Sequence, residues 1–513
     1  MKSYINKFMK LNYLGDPPSE YIELIRVIKS NKLRKLCKEK KFEINTFTIG
    51  NVEPQNVATF HQLSSVFHLP DLAKMTSEYI QRCFTIVAET KNFLELDFRI
   101  INKILSSSEL NITSEVEIFK AADAWLRHKI IDGNIAESLF LQIRFPLLSD
   151  HVIKSLFDKR SGLRSASSFH EHEECLMIMQ KILKNKDEFY KNKSNMFYTN
   201  RYCNNRKFNL LFFDDNEYDD KRSGETHKRV SVYQTSAENL QDYSVFLQTK
   251  ENIYDTFCLK GKVYFLFSRP VNGGCKISSF MRFSPISKIW ETLTLDNFYD
   301  CIVAGYCVCT FMDSIFIMGG FFNNNQYKGT RYCCEFNVKT KKWRRIANMN
   351  QARINADSAV FEGRVVMSGG TAELEGFGPS EGTNTIEAYD HVSGTWSYMP
   401  SMVHSRYNHQ LFAVGNRLFA TGGNTLTCEV YDSVSKRFTA LKLPPDFVWL
   451  EFNTSCSFLL GRKFFVFHTD CYPKVVSYHV DEEKWSEESF EITKHLEPYD
   501  CMRIQQFHEL WEL

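Results

Sequence analysis

Arg353, in the run QARINADSAV, and Arg406, in HSRYNHQLFA, stand 53 residues apart in matching contexts. A guanidinium is a permanently charged, planar fork of donors, suited to gripping a carboxylate or phosphate through two parallel hydrogen bonds. Tyr407 and His409 beside the second arginine would add an aromatic face and a further hydrogen-bonding group. The same arginines could instead be consumed by local carboxylates and carbonyls, and both readings stay open at this level. No H-E-x-x-H is present, and no constellation of Ser, His and Asp stands out as catalytic. The cluster EHEE (Glu171 to Glu174), with His170 beside it, has metal-ligand types but reads better as a solvated helix face. Fifteen Cys include no C-x-x-C pair, which suits buried structural thiols better than a metal site.

The elements that must carry these side chains show as a repeat. Gly319-Gly320, Gly369-Gly370 and Gly422-Gly423 each end an apolar strand pattern, DSIFIMGG, GRVVMSGG and NRLFATGG, at intervals of 50 and 53 residues. An aromatic residue precedes another by seven positions in five successive units: Phe283/Trp290, Phe336/Trp343, Tyr389/Trp396, Tyr431/Phe438 and Tyr478/Trp485. Turn-like stretches lie between the partners, so each unit predicts strand, hairpin turn, strand. GKVYFLF at Gly261 and GRKFFVF at Gly461 keep the frame without the glycine pair. The earliest unit starts at Lys207 with KFNLLFF and continues as VSVYQ from Val230, with Leu240 where Trp is expected. That makes six units.

This pattern resembles the kelch repeat, over about 300 residues, and implies an all-β six-bladed propeller spanning 207–513. Blades stack around an axis because one four-stranded sheet cannot bury both of its faces. The first unit lacks an innermost strand, and CMRIQQFHEL (Cys501 to Leu510) has no unit of its own. The C-terminal segment is therefore expected to supply that strand and latch the ring. Seventeen residues before the second glycine of each pair, or its equivalent, lie Glu251, Val303, Arg353, Arg406 and Glu451. In kelch-like receptors an arginine at this place often lines the substrate-binding mouth. The resemblance thus implies a mouth carrying Arg353 and Arg406, with Tyr407 and His409 nearby, and mixed in charge through Glu251 and Glu451.

Residues 19–185 place apolar side chains at three-to-four spacing and predict helices, with Ser114 and Glu117 as a capping box. The run NFLELDFRIINKILSSSELNITSEVEIFKAADAWLRH (Asn92 to His128) and IRFPLLSDHVI (Ile143 to Ile153) resemble the BACK domain of the kelch-like (BTB-BACK-kelch) family. INKFMKLNYLGD, from Ile5, looks like the tail of a BTB domain, and Ser19 to Phe42 resembles the helical 3-box after it. The resulting division is a BTB and 3-box remnant over 1–50, BACK over 51–185, a Lys- and Asn-rich linker over 186–206, and the propeller.

The family resemblance implies a non-catalytic, cofactor-free substrate adaptor of a cullin-3 ubiquitin ligase that binds a protein substrate through the propeller. Most of the cullin-contacting surface would lie upstream of a shortened BTB domain, which weakens the expectation of cullin-3 binding and of dimerisation. An actin-binding scaffold, or a form that only captures substrate, is the alternative. A net charge of +2 argues against nucleic acid, and the basic run Lys29 to Lys41 alternates with apolar residues as an amphipathic helix does. No 18-residue apolar run and no signal-peptide core appear, so a cytoplasmic protein without a membrane span is expected.

Overall fold

The computed structural model describes residues 52–488 and 505–507, apart from short internal stretches of which the longest are 158–167, 202–208 and 443–456. The stretches read as BTB tail and 3-box lie outside the described residues. The described part consists of a helical domain followed by six antiparallel blade sheets and one small two-stranded sheet.

Helices Val57–Phe67, Pro70–Arg82, Phe98–Ser106, Glu115–His128, Gly133–Phe140, Asp150–Phe157 and Glu173–Lys184 pack around one core. Phe84, Phe93, Phe140, Phe145 and Phe169 are fully enclosed there. Trp125 is buried beside them and satisfies its indole by donating from Nε1 to Leu96 O at 3.0 Å. Ser114 caps the helix Glu115–His128, its Oγ accepting from Val116 N–H at 3.3 Å.

The next residue of that helix ties down a segment that composition marks as a linker. Glu115 is buried and receives Arg201 Nε at 2.7 Å and Nη2 at 3.2 Å. Arg201 donates as well to the carbonyls of Leu105, Ser107 and Gln142. Lys186–Tyr190 is a helix, and Tyr190 joins the helical core. The expected linker 186–206 is therefore partly built into the helical domain. A Lys- and Asn-rich composition signals exposure on average, and one arginine and one tyrosine override it.

Each of blades two to six is a four-stranded meander. They run from Asn252–Leu259 to Ile289–Leu293, Ile302–Phe311 to Lys342–Arg345, Asp357–Phe361 to Thr395–Met399, Gln410–Val414 to Arg437–Leu441, and Ser457–Leu460 to Lys484–Glu488. All five aromatic pairs are directly opposed across the third and fourth strands of their blades. Their ring centroids lie 4.8 to 5.2 Å apart. Three of the tryptophans also reach the preceding unit: Trp343 Nε1 donates to Thr294 O, Trp396 to Ala347 O and Trp485 to Lys442 O, at 2.9 to 3.1 Å. A seven-residue spacing thus positions one ring to close its own hairpin and to hold the neighbouring blade.

Blade one is assembled from both ends of the repeat region. Asn209–Asp220, Glu225–Ser236 and Asn239–Tyr243 form its sheet, and Gln505–Phe507 pairs antiparallel with Asn209–Leu211. That C-terminal strand lies against the first strands of blades two and six. The segment thus supplies the innermost strand expected for blade one.

Candidate functional site

The glycine pairs and the arginines form one repeated device. Gly319 and Gly369 have φ of +71° and +58°, and a Cβ on either would sit 2.5 Å from the carbonyl oxygen of Arg353 or Arg406. Only glycine lets the backbones approach this closely. The second glycine of each pair then donates across to the next blade: Gly320 N to Arg353 O at 2.8 Å, and Gly370 N to Arg406 O at 2.7 Å.

The guanidinium turns the other way, into its own blade. Arg353 Nη1 donates to Gly369 O (2.6 Å) and Thr385 O (3.0 Å), and Nη2 to Thr385 Oγ1 (2.8 Å) and Glu387 Oε1 (2.9 Å). Arg406 repeats this on Gly422 O, Thr427 O, Thr427 Oγ1 and Glu429 Oε1, between 2.6 and 2.9 Å. Glu387 also accepts from the backbone N–H groups of Asn350 and Gln351, and Glu429 from those of Val403 and His404. Burial opposes ionisation of Glu429, yet the hydrogen bonds from Arg406, Val403 and His404 hold its carboxyl below the usual range.

Arg353, Arg406, Glu387 and Glu429 have no exposed side-chain surface. The expected fork at a propeller mouth is therefore not presented to a ligand, because its donors are spent on internal carbonyls and a carboxylate. His409 is likewise buried, 2% exposed, with Nε2 2.7 Å from Ser368 Oγ. Burial and the charges of Arg406 and Arg353 lower its pKa to about 3, so it is a neutral structural imidazole. Tyr407 is half-buried on the loop leading into blade five. Val303 lies in the strand Ile302–Phe311, and Glu251 and Glu451 lie outside the described residues.

The loops above these arginines make a rim whose orientation follows from the topology. In a meander, the turns between strands one and two and between strands three and four share one end of the blade. The link between strands two and three shares the other end with the connection to the next blade. The helical domain occupies the first end. Ser149 N donates to Glu362 O at 3.2 Å, and Gly363 lies under Val116, Leu148 and Val152. His151 pairs with Asp390, and Glu89 pairs with Lys260 and Lys339, both of which also reach Asp313. All of these propeller residues sit on the two kinds of tight turn. The opposite rim carries the longer connections 323–332, 346–356, 369–385, 400–409 and 422–427, and among its described residues none makes these contacts. Val403 (55% exposed), His404 and Asn408 stand out from it beside Tyr407.

No Gly-x-Ser-x-Gly nucleophile elbow is expected from the Ser, His and Asp residues, yet the run GPSEG at 378–382 has its letters. Its strand Gly378–Pro379 pairs with Leu374–Glu375, and among the described residues no helix follows before the strand Ile386–Asp390, whereas such a nucleophile sits at a strand-to-helix turn. Among the described residues no group of three His, Cys, Asp or Glu side chains is placed to hold a metal, and Glu173 and Glu174 of the EHEE cluster are exposed on a helix. Cys83, Cys175, Cys307, Cys309, Cys333, Cys334 and Cys428 are buried thiols, and burial pushes Cys175, Cys309, Cys333 and Cys428 up to about 12. No described helix is long and apolar enough to cross a membrane.

Comparison with known proteins divides along the same line as the fold. The family model described as BACK, "BTB And C-terminal Kelch", matches residues 57–158, and the Kelch motif model matches residues 352–403. Mouse Kelch-like protein 9 is 33% identical over 103 residues, which is 20% of this chain and 17% of that protein. Kelch-like protein 26 of Danio rerio is 19% identical over 373 residues, 72% of this chain and 50% of the relative. Kelch-like protein 40 of Xenopus tropicalis is 21% identical over 442 residues, 72% of this chain and 70% of the relative. Against Kelch-like proteins 13, 9 and 17 the matched region spans only 16% to 21% of the relative's length.

Proposed function

We propose, from the membership of this chain in the kelch-like family, that it is a substrate-recognition adaptor which binds a protein partner on the open rim of its propeller for a cullin-3 ubiquitin ligase. The observation that carries this reading is the one-sided docking of the BACK domain. It covers the end of the propeller formed by the tight turns and leaves the long loops of the other end facing away. Loops held by a rigid scaffold are where recognition residues concentrate. In this reading the rim contacts come from Tyr407, His404, Val403 and Asn408, while Arg353 and Arg406 shape the loops from beneath. The chain itself catalyses nothing.

Affinity purification of the full chain followed by mass spectrometry tests this. Replacing Val403 and Tyr407 together by serine, and leaving His404 in place because its ring also reaches the buried Glu429 at 2.8 Å, should reduce recovery of the main partner at least ten-fold without changing the melting temperature. Undiminished recovery would remove the rim from the binding site. Cullin-3 in the same eluate supports the ligase reading. Partner capture with no cullin-3 would leave a binding module, and co-sedimentation with filamentous actin would replace the adaptor by a scaffold.

A further inference from the structure

Between the BACK domain and blades two and three lies a cavity of about 510 Å³, lined by an apolar wall of Phe84, Ala88, Leu94, Ala121 and Ala124. Lys120 enters it from the helix Glu115–His128, with Glu117 one turn before it on the same lining. The ammonium of Lys120 finds the thioether of Met312 at 3.0 Å, a weak acceptor for a charged donor. The other two lysines of the lining are differently placed, since Lys260 and Lys339 are both held by Glu89 and Asp313.

This arrangement selects the class of ligand. The three lysines of the lining are matched by three carboxylates, Glu89, Glu117 and Asp313, so an added carboxylate finds no net positive charge and is repelled by Glu117 on the helix of Lys120. A neutral carbonyl compound meets no such repulsion, and its hydrocarbon part fits the Phe84–Leu94 wall. We propose that Lys120 is a carbonyl-reactive amine that forms a reversible imine with small aldehydes entering the cavity between the two domains. Nζ attacks the carbonyl carbon and a C–N bond forms. The carbonyl oxygen then departs as water, carrying both protons lost by the amine nitrogen. Glu117 is positioned to relay protons during the loss of water.

The electrostatics favour the required neutral amine. Burial lowers the pKa of Lys120; Asp313 and Glu117 oppose the shift, and Lys339 and Lys260 reinforce it. The site does not depend on the adaptor reading. An adduct there would lie between the BACK domain and the propeller, where it could alter how firmly the two hold together.

The test is to treat the full chain with salicylaldehyde and sodium cyanoborohydride at pH 7 and to map reduced adducts by peptide mass spectrometry. Lys120 should be labelled at least ten-fold faster than the exposed Lys342, with a rate that rises at lower pH than that of Lys342. Lys120→Arg should remove the fast adduct. Leu94→Trp, which fills the cavity while keeping the amine, should slow labelling of Lys120 at least ten-fold. Labelling of Lys120 no faster than Lys342 in the unaltered chain overturns the proposal whether or not either variant folds.

Discussion

Arg353 and Arg406 are the residues on which sequence and structure differ most, and the difference has energetic consequences. Removing one partner of a buried ion pair leaves the other charge uncompensated, which costs about 3–5 kcal/mol. Arg353→Met and Arg406→Met should each lower the unfolding free energy by that order, with a matching fall in the urea midpoint followed by tyrosine and tryptophan fluorescence. Arg406→Lys should recover only part of the loss, because an ammonium cannot span two carbonyls, a hydroxyl and a carboxylate in one plane. A surface role would instead leave the midpoint unchanged. The signal for burial was present in the sequence. Glu387 and Glu429 stand two positions before the frame aromatics Tyr389 and Tyr431, in the two units that carry the arginines. The equivalent positions of the other three units are Met281, Cys334 and Val476, in units whose arginine position holds Glu251, Val303 and Glu451. An arginine and a glutamate that appear in the same units predict a pair within the blade. Reading the arginine without its partner pointed it outward. A second residue-scale prediction follows from three neutral imidazoles. Burial, with Lys103 beside His61 and Arg406 and Arg353 beside His409, lowers His61 and His391 to about 4 and His409 to about 3. The unfolded chain therefore binds more protons than the folded chain once pH drops below about 6.5, and stability falls from there toward pH 4. Asp357 acts in the opposite sense. Burial raises its pKa to about 7, so its contribution is full below the ordinary carboxylate range and is lost as pH rises through 7. Three groups outweigh one, so the urea midpoint should be lower at pH 5 than at pH 7, and His409→Gln should flatten that slope by about one proton.

At the level of elements the repeat was legible because propeller blades are nearly independent strips, each with its own turns and its own aromatic clasp. The seven-residue aromatic spacing fixed five hairpin registers, and the glycine pairs marked where the second strands end in blades four and five, while that of blade three runs on to Phe322. Blade one could be foreseen only by subtraction: a unit without an innermost strand and a C-terminal segment without a unit. The pairing of Gln505–Phe507 with Asn209–Leu211 joins residues nearly 300 positions apart. Closing such a loop costs entropy that three residue pairs repay only within a ring. Deleting residues 497–513 should therefore do more than fray one edge. It exposes an unpaired strand of blade one and removes the element lying against the first strands of blades two and six. Differential scanning calorimetry should show the propeller transition lowered by at least 5 °C, and an unchanged transition would mean that the ring holds without its latch. The linker was less legible. Its composition is that of an exposed tether, and nothing local marks Arg201 as the residue that finds Glu115. That contact spans 86 positions and becomes visible only when the helix Glu115–His128 turns its first residue inward.

For the whole molecule the question is what holds the BACK domain against one end of the propeller. Two kinds of contact compete for the answer. The charge cluster of Glu89, Lys260, Lys339 and Asp313 is conspicuous, yet Glu89 is 43% exposed and Lys339 52%, so water and salt screen the pair to about 0–1 kcal/mol. The apolar contact is smaller in extent but dry: Val116, Leu148 and Val152 close over Gly363, and a Cβ there would meet each of them at 3.1 to 3.3 Å. Burial of three aliphatic side chains outweighs one screened cluster. The coupling of the domains should accordingly depend on Gly363 far more than on Glu89. Gly363→Leu also strains a turn whose φ is +75°, so a matched control is needed. Gly394 provides it, on another turn of the same blade with φ of +68° and nothing within 4 Å of an added Cβ. Gly394→Leu carries the strain without the collision. In calorimetry, Gly363→Leu should separate the helical and propeller transitions, while Gly394→Leu lowers the propeller transition but keeps the two coupled. Glu89→Gln should do neither at 0.15 M salt. If Glu89→Gln separates the transitions and Gly363→Leu does not, the ionic cluster is the hinge-pin. The propeller's open rim would then be oriented by charge, and its presentation to a partner would vary with ionic strength.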